Sequence, residues 1–232
     1  MRFPRPLVPA VLLRRYKRFL ADVRLLDGTV ATAHCANPGA MLGVAAEGAE
    51  VWLLPSADPR RSLAWSWELI RVGRHLVGIN TARPNALAVE AITQGRIPAL
   101  HGYAALRREV AYGRQSRIDL LLASPGRPIC YVEVKNVHLR RGDLAEFPDC
   151  VTARGARHLA ELQAMVKAGH RAVMLYVVQR GDCEGFRVAA DLDPVYDMAY
   201  REARAAGVEA LCYACEVGVD GIEIGRPLPL AP

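Results

Sequence analysis

The first third of the chain alternates apolar and polar positions with the two-residue period of a sheet. Residues 17–26 follow this pattern, and Asp27-Gly28 directly after them is a strong hairpin-turn signal. Further runs of strand character occupy residues 30–35, 51–54, 63–72 and 75–79. Short strands at this density predict a small β-barrel, of which the OB-like barrel is one form.

From residue 81 onward the pattern changes to helices alternating with strands. Helices are predicted over residues 86–94, 156–168 and 195–206, with Asn85 as the N-cap of the first and a glycine after each. Strands are predicted over residues 106–112, 116–123, 129–137, 171–179 and 210–217. The order αβββαβ, then αβ, predicts a mixed sheet with helices on its faces. We therefore expect an α+β chain, with an OB-like barrel over residues 1–80 and a mixed-sheet domain over residues 81–232.

The composition is that of a globular protein that needs no disulfide or metal to stabilise its core. The chain has 232 residues, 52% of them hydrophobic, and no run approaches the ~18 apolar residues of a membrane-spanning helix. The apolar stretch 7–13 is interrupted by Pro9 and precedes no leader cleavage motif. Six widely spaced cysteines are expected to be reduced. These features predict a cytoplasmic protein that does not associate with membranes.

Positive charge is concentrated in the predicted barrel. The net charge is +6, and residues 1–80 carry 11 basic and 6 acidic side chains. Such a surface suits nucleic acid, although moderate positive charge also simply keeps a protein in solution. The candidate phosphate contacts are Arg14, Arg15, Lys17 and Arg18 in the densest basic run and Arg140 and Arg141 in a later loop, with a solvated strand edge as the alternative.

Two acidic residues and a lysine on neighbouring predicted strands are the candidate chemical site. Asp119 lies within an apolar run, and alternation places Glu133 and Lys135 on one face of the next strand. Glu90 on the preceding helix would add a third carboxylate. Carboxylate oxygens are the ligands that Mg²⁺ prefers, and a bound Mg²⁺ activates water and polarises phosphoryl oxygens. A structural ion pair is the alternative.

The choice of lysine at position 135 favours the metal-site hypothesis. Only 3 of the 30 basic residues are lysines: Lys17, Lys135 and Lys167. Lysine carries a compact charge and can release its proton, whereas arginine does not. A site that needs lysine therefore has it in a chain that otherwise uses arginine.

Two further sets of residues have both a functional and a structural interpretation. Arg154, His158 and Glu161 share one face of the second helix, where they would reach a phosphate or simply form its polar face. Trp65 and Trp67 lie on one face of a barrel strand, where they would stack on bases or, as the pattern favours, form core.

Longer strings surround these residues, at positions 17–19, 34–39, 107–113, 116–119, 131–137, 147–149, 152–155, 158–159 and 177–180. These strings resemble the sugar fermentation stimulation protein A family, and the arrangement of Asp119, Glu133 and Lys135 resembles the PD-(D/E)xK nuclease superfamily.

The resemblance implies an N-terminal OB-type domain, a nuclease-like αβββαβ domain, and binding to DNA. It implies that Asp119, Glu133 and the main-chain carbonyl of Val134 hold Mg²⁺ or Mn²⁺, and that Lys135 is the catalytic lysine. Glu90 matches the helical acid of the superfamily more loosely, and Ile118 stands where many members have proline.

The resulting hypothesis is a DNA-binding protein with a Mg²⁺-dependent phosphodiester-cleaving site, whose family name implies a role in sugar utilisation. No base-reading element is evident, so weakly sequence-specific binding is expected. The alternatives are a non-catalytic DNA-binding regulator that uses the nuclease fold as a scaffold, and an enzyme that acts on RNA.

Overall fold

A computed structural model describes residues 1–58, 60–113 and 116–231. Fifteen strands, three α-helices and one short 3₁₀ helix follow one another along these residues. The strands of the N-terminal part are β1 (Val8–Tyr16), β2 (Leu20–Leu25), β3 (Val30–His34), β4 (Glu50–Pro55), β5 (Trp65–Val72) and β6 (His75–Gly78). The elements that follow are α1 (Pro84–Thr93), a 3₁₀ helix (Pro98–Leu100), β7 (Ala105–Tyr112), β8 (Ser116–Ala123), β9 (Cys130–Val137), β10 (Leu139–Arg141), β11 (Leu144–Phe147), α2 (Ala153–Lys167), β12 (Arg171–Val178), β13 (Gly185–Val188), α3 (Pro194–Ala205), β14 (Glu209–Gly218) and β15 (Gly221–Pro227).

The N-terminal strands form a closed barrel of five strands, as expected from the sequence. Antiparallel pairing joins β3, β2, β1, β4 and β5, and a short parallel pairing between β3 and β5 closes the ring. β6 continues from β5 as a hairpin. Small and branched apolar residues fill the interior together with Trp67, which is fully buried. The core interpretation is therefore confirmed for Trp67, whereas Trp65 is partly buried and packs against this core.

The first strand and its turn differ from the predicted pattern. The apolar stretch around Pro9 forms β1, and residues 17–19 form the turn to β2 instead of the start of a strand. The turn predicted at Asp27-Gly28 is present between β2 and β3, with Gly28 at φ 87°. Period-two alternation missed this boundary because the turn residues continue the polar–apolar alternation of the strand that follows them.

The second part of the chain is a six-stranded mixed sheet between two helical layers. The strand order is β15-β14-β12-β9-β8-β7, in which β12 is parallel to β9 and β14. α1 packs on one face of the sheet, and α2 and α3 pack on the other. This arrangement confirms the αβββαβ order. Strand β15 and the small sheet of β10, β11 and β13 were not predicted.

The sheet and the barrel meet through hydrogen bonds at the end of β9. Gln179 donates from Nε2 to Asn136 Oδ1 at 2.6 Å and accepts at its main-chain oxygen from Gly78 N at 2.8 Å. Asp149 accepts from Met41 N at 2.8 Å and lies 3.2 Å from His138 Nε2. The strand that carries Glu133 and Lys135 therefore leads directly into the contact with the barrel. None of the described helices has both the length and the apolar character required to cross a bilayer.

Candidate active site

Strands β8 and β9 separate at the point where Asp119 lies. The last pair of their ladder is Leu120 opposite Val132, after which β8 remains paired only with β7. Beyond this pair, the carboxylate of Asp119 accepts a hydrogen bond from Val134 N at 2.8 Å. The Asp119 side chain thus occupies the position where a main-chain bond would otherwise continue the sheet.

Asp119 is held on its other side by the first helix. Asn85, in the first turn of α1, donates from Nδ2 to Asp119 Oδ1 at 2.8 Å. Asn85 is therefore not the N-cap predicted from the sequence, since Arg83 occupies that position. Burial, and then the nearby charge of Glu133, raise the pKa of Asp119, while the donors from Val134 and Asn85 act in the opposite direction. A buried carboxyl under these influences gains from a cation.

One oxygen of Glu133 is engaged by two donors. Glu133 is 2% exposed, and its Oε1 accepts from Lys135 Nζ at 2.7 Å and from His158 Nδ1. Burial alone would raise the pKa of Glu133, but the hydrogen bond from His158 and the charge of Lys135 lower it below its usual value. Glu133 is therefore stabilised as a carboxylate.

The second oxygen of Glu133 is buried and has no partner. Within the described residues, Glu133 Oε2 belongs to a small set of buried side-chain atoms that make no hydrogen bond, together with Tyr112 Oη, Glu161 Oε2 and Gln179 Oε1. Burial, and then the charges of Glu133, Glu161 and Asp119, raise the pKa of Tyr112. Three carboxylates thus act on one phenol, so this region gathers negative charge and unsatisfied polar atoms.

His158 is placed behind the site rather than at its surface. Its ring is 3% exposed, Nε2 accepts from Arg154 Nε at 3.2 Å, and Nδ1 donates to Glu133. Since Nε2 acts as an acceptor, the neutral tautomer with hydrogen on Nδ1 satisfies both contacts. His158 therefore lies buried against Glu133, and not on the exposed polar face of α2, where the sequence placed it as a candidate phosphate contact. Arg154 remains exposed at the start of α2.

Glu90 is not brought to this group. Its Oε1 accepts from the amino group of Met1 at 2.8 Å and from Arg96 Nη2 at 3.0 Å. It lies five residues beyond Asn85, about 7.5 Å further along the axis of α1. The residue of α1 that contacts Asp119 is therefore an amide. Among the described residues, no group of three or more histidine, cysteine, aspartate and glutamate side chains is arranged to hold a metal ion.

The basic residues selected from the sequence divide into two groups. Arg14 pairs with Asp22 at 2.8 Å, Arg140 pairs with Asp143 at 2.7 Å, and Arg141 pairs with Asp191 at 2.6 Å. The guanidinium of Arg15 donates to main-chain carbonyls, including those of Asn37 and Gly39 at 2.9 Å. Lys17, Arg18 and Arg154 are exposed, and within the described residues none of them forms an ion pair.

Comparison with known proteins establishes the family of the chain. The family described as "Sugar fermentation stimulation protein RE domain" matches residues 82–221, and the one described as "SfsA N-terminal OB domain" matches residues 13–79. The chain belongs to the SfsA family. A sugar fermentation stimulation protein homolog of Paramagnetospirillum magneticum is 60% identical over 99% of this chain and 98% of its own, and one of Rhodospirillum centenum is 63% identical over the full length of both.

A solved SfsA structure has the same fold over the whole chain. The SfsA of Pyrococcus furiosus, solved in complex with Ca²⁺, superposes with a TM-score of 0.89 at 28% sequence identity and covers 100% of this chain and 98% of that one. The family resemblance and the barrel-plus-mixed-sheet architecture expected from the sequence are thus both confirmed. The sequence did not indicate Asn85 or Tyr112 as site residues. An asparagine at the start of a helix is typical of an N-cap, and a tyrosine at the end of a strand is typical of a core residue, so neither pattern indicated the site.

Proposed function

We propose that this SfsA-family chain binds DNA and hydrolyses phosphodiester bonds with a divalent metal held by Asp119 and Glu133. The observation that carries the proposal is that Oε2 of Glu133 is buried and has no hydrogen-bond partner. The charge of Glu133 also helps to raise the pKa of Asp119, so the two carboxyl groups act on each other. A carboxylate oxygen removed from water without a donor is costly unless a cation is present. A metal between the two carboxylates would remove that cost.

The residues fit Mg²⁺, with Mn²⁺ as a substitute. Mg²⁺ takes oxygen ligands and keeps several waters, so two carboxylates are sufficient side-chain ligands. The main-chain carbonyl of Val134 is the third ligand that we propose, because in an antiparallel strand a residue directs its N–H and C=O to the same neighbour. The N–H of Val134 already faces Asp119. The Ca²⁺ in the SfsA of Pyrococcus furiosus supports a hard divalent cation in this family.

Each remaining side chain has a separate task in this proposal. When bound, the metal polarises a phosphoryl oxygen and lowers the pKa of a bound water. Lys135 places an ammonium beside Glu133 Oε1, where it orients the attacking water and offsets the charge that develops at the phosphate. His158 and Arg154 hold Glu133 from behind, so that Oε2 keeps its direction. Asn85 does the same for Asp119.

DNA is the partner that the positive surface supports. Lys17, Arg18 and Arg154 are exposed, and the positive end of the α2 dipole lies at Arg154. Contacts of this kind read phosphates rather than bases, so binding is weakly sequence-specific. RNA would satisfy the same groups and is the alternative substrate. We also propose that the chain divides into two domains at residues 80–81, which the gap between the two matched regions, 13–79 and 82–221, supports. Six free thiols suit the cytoplasm.

A non-catalytic DNA-binding scaffold is the second candidate, and the ion pair of Lys135 with Glu133 favours it. At 2.7 Å, this pair could serve only to stabilise the sheet. The variants Lys135→Ala and Lys135→Arg separate the two functions when labelled single- and double-stranded DNA is incubated with Mg²⁺ or Mn²⁺. The enzyme hypothesis predicts that both variants bind DNA as the wild type does but lose cleavage. Equal cleavage by the wild type and both variants would refute it, and no metal-dependent cleavage by the wild type would leave the scaffold.

A further inference from the structure

The turn between β1 and β2, residues 17–19, forms the tip of the barrel, and two of its residues adopt an unfavourable backbone conformation. Lys17 and Arg18 adopt φ of 47° and 62°, in the left-handed region that favours glycine. The neighbouring turn between β2 and β3 uses Gly28 for such a conformation. The first turn instead presents two basic side chains followed by Phe19. Strained backbone conformations of this kind cluster at sites that bind ligands.

Hydrogen bonds fix the backbone of this tip. The main chain of Phe19 donates to Lys17 O at 2.7 Å and accepts from Cys35 N at 2.8 Å. Arg15 donates from Nε to Arg18 O at 3.1 Å, and its Nη2 reaches the carbonyls of the 37–39 loop. The backbone that carries the Phe19 ring is therefore fixed, so the turn loses less conformational entropy when a ligand binds.

While Tyr16 and Trp65 are half-buried, Phe19 is the most exposed aromatic side chain among the described residues of the barrel. It is 45% exposed, whereas Trp67 is fully buried and Trp52 is 7% exposed and covered by the guanidinium of Arg71. An aromatic face flanked by two cations is the combination with which proteins hold single-stranded nucleic acid, because the bases stack and the phosphates meet the charges.

The tip lies on the side of the molecule where α2 begins. Arg15 donates to the carbonyl of Arg18 and also to those of Asn37 and Gly39, and Met41 N, two residues further along, donates to Asp149. Asp149 is three residues before Thr152, the N-cap of α2. Arg154 and His158 follow in the first turns of that helix, and His158 contacts Glu133. The tip is therefore connected, through the 37–41 loop and Asp149, to the segment that begins α2 and leads to Glu133.

We propose that Phe19 stacks on an unpaired base while Lys17 and Arg18 contact the adjacent phosphates, so that the DNA substrate presents a single-stranded stretch to the site. This inference rests on the proposed function for its DNA partner but not for cleavage.

Binding of fluorescein-labelled oligodeoxythymidylate to the full-length protein, followed by anisotropy in EDTA, tests the inference. A matched oligomer with abasic sites keeps the phosphates and removes the bases. Phe19→Leu keeps an apolar side chain without the aromatic face, and Phe19→Trp keeps the aromatic face. Leu26→Ala is the control, because Leu26 is 79% exposed at the next turn of the same barrel.

The wild type should bind the thymidylate oligomer about 5- to 100-fold more tightly than the abasic one. Phe19→Leu should remove most of this difference without weakening abasic binding, while Phe19→Trp and Leu26→Ala should retain it. Equal affinity of the wild type for the two oligomers, or an equal loss on both with Phe19→Leu, would overturn the inference. If Asp119-dependent cleavage persisted alongside either result, only the stacking role would fail. Absence of binding to any DNA would overturn the proposed function as well.

Discussion

Replacing His158 by leucine should weaken the fold at Glu133 by a predictable amount. The His158 and Glu133 side chains are each 3% exposed, so solvent does not screen their contact. The substitution removes one of the two donors to Glu133 Oε1 and leaves Lys135 as the remaining partner. Losing a hydrogen bond to a buried charged group costs about 1–3 kcal/mol. For a chain of this size, that corresponds to a fall in Tm of roughly 2–12 °C.

His158→Asn separates the hydrogen bond from the packing. The side-chain amide of asparagine can place an N–H where Nδ1 lies, although it cannot reach Arg154. We therefore expect His158→Asn to recover at least half of the stability lost in His158→Leu, as measured by urea unfolding of the full chain.

The pH dependence gives a further check. The lowered pKa of Glu133 contributes stability that is present above its unfolded-state pKa and is lost as the pH falls through its folded-state pKa. The difference between wild type and His158→Leu should therefore be largest near neutral pH and shrink below about pH 4. Unchanged stability in His158→Leu, or equal losses in the two variants, would refute this account of the contact.

Three further predictions concern the barrel contact and the metal. Gly39→Ala should destabilise the protein by about 1–3 kcal/mol in urea unfolding, because the Cβ of the new alanine would lie 2.7 Å from both carboxylate oxygens of Asp149. An unchanged unfolding midpoint would mean that Asp149 can move away without cost. Arg15→Ala should lower Tm without changing the slope of log affinity for DNA against log salt concentration, whereas Lys17→Ala should reduce that slope by about one unit. The reverse result would mean that Arg15 contacts phosphate and that Lys17 stabilises the fold. A protonated Asp119 cannot bind a metal, and burial raises the pKa of Asp119. The affinity for Mn²⁺ measured by calorimetry should therefore already fall at a pH above the ordinary aspartate pKa of about 3.9. An affinity that stays constant down to that pH would exclude Asp119 as a ligand.

The alternating and helical patterns predicted the layers of the fold well, because burial of apolar side chains determines both the sequence pattern and the layers. Strand β8 was placed correctly at both ends, and α2 and α3 were placed to within a few residues. Apart from β1, the strands outside the prediction are short or lie at a sheet edge, like β13 and β15. Their pairing depends on distant partners, so local periodicity carries little information about them.

The candidate site was predictable only where the backbone alone decides geometry. Alternation along one strand placed Glu133 and Lys135 on one face, and the structure joins them at 2.7 Å. It could not reveal that β8 leaves β9 at Asp119, or that His158 turns inward to Glu133. It also could not show that Glu90 lies too far along α1 while Asn85 faces the carboxylate. These outcomes depend on how a helix is rotated against a sheet, which helical periodicity fixes only to the nearest face.

The most direct test of the metal-site account is calorimetric titration of Mg²⁺ and Mn²⁺ into the wild type and Asp119→Ala, followed by incubation of each with single- and double-stranded DNA. Leu26→Ala serves as a control for surface substitution. The account predicts that the wild type binds metal and cuts a DNA strand, and that both properties vanish together in Asp119→Ala while DNA affinity in EDTA is unchanged. Metal binding that survives in Asp119→Ala, or a wild type that binds DNA but neither metal, would contradict it.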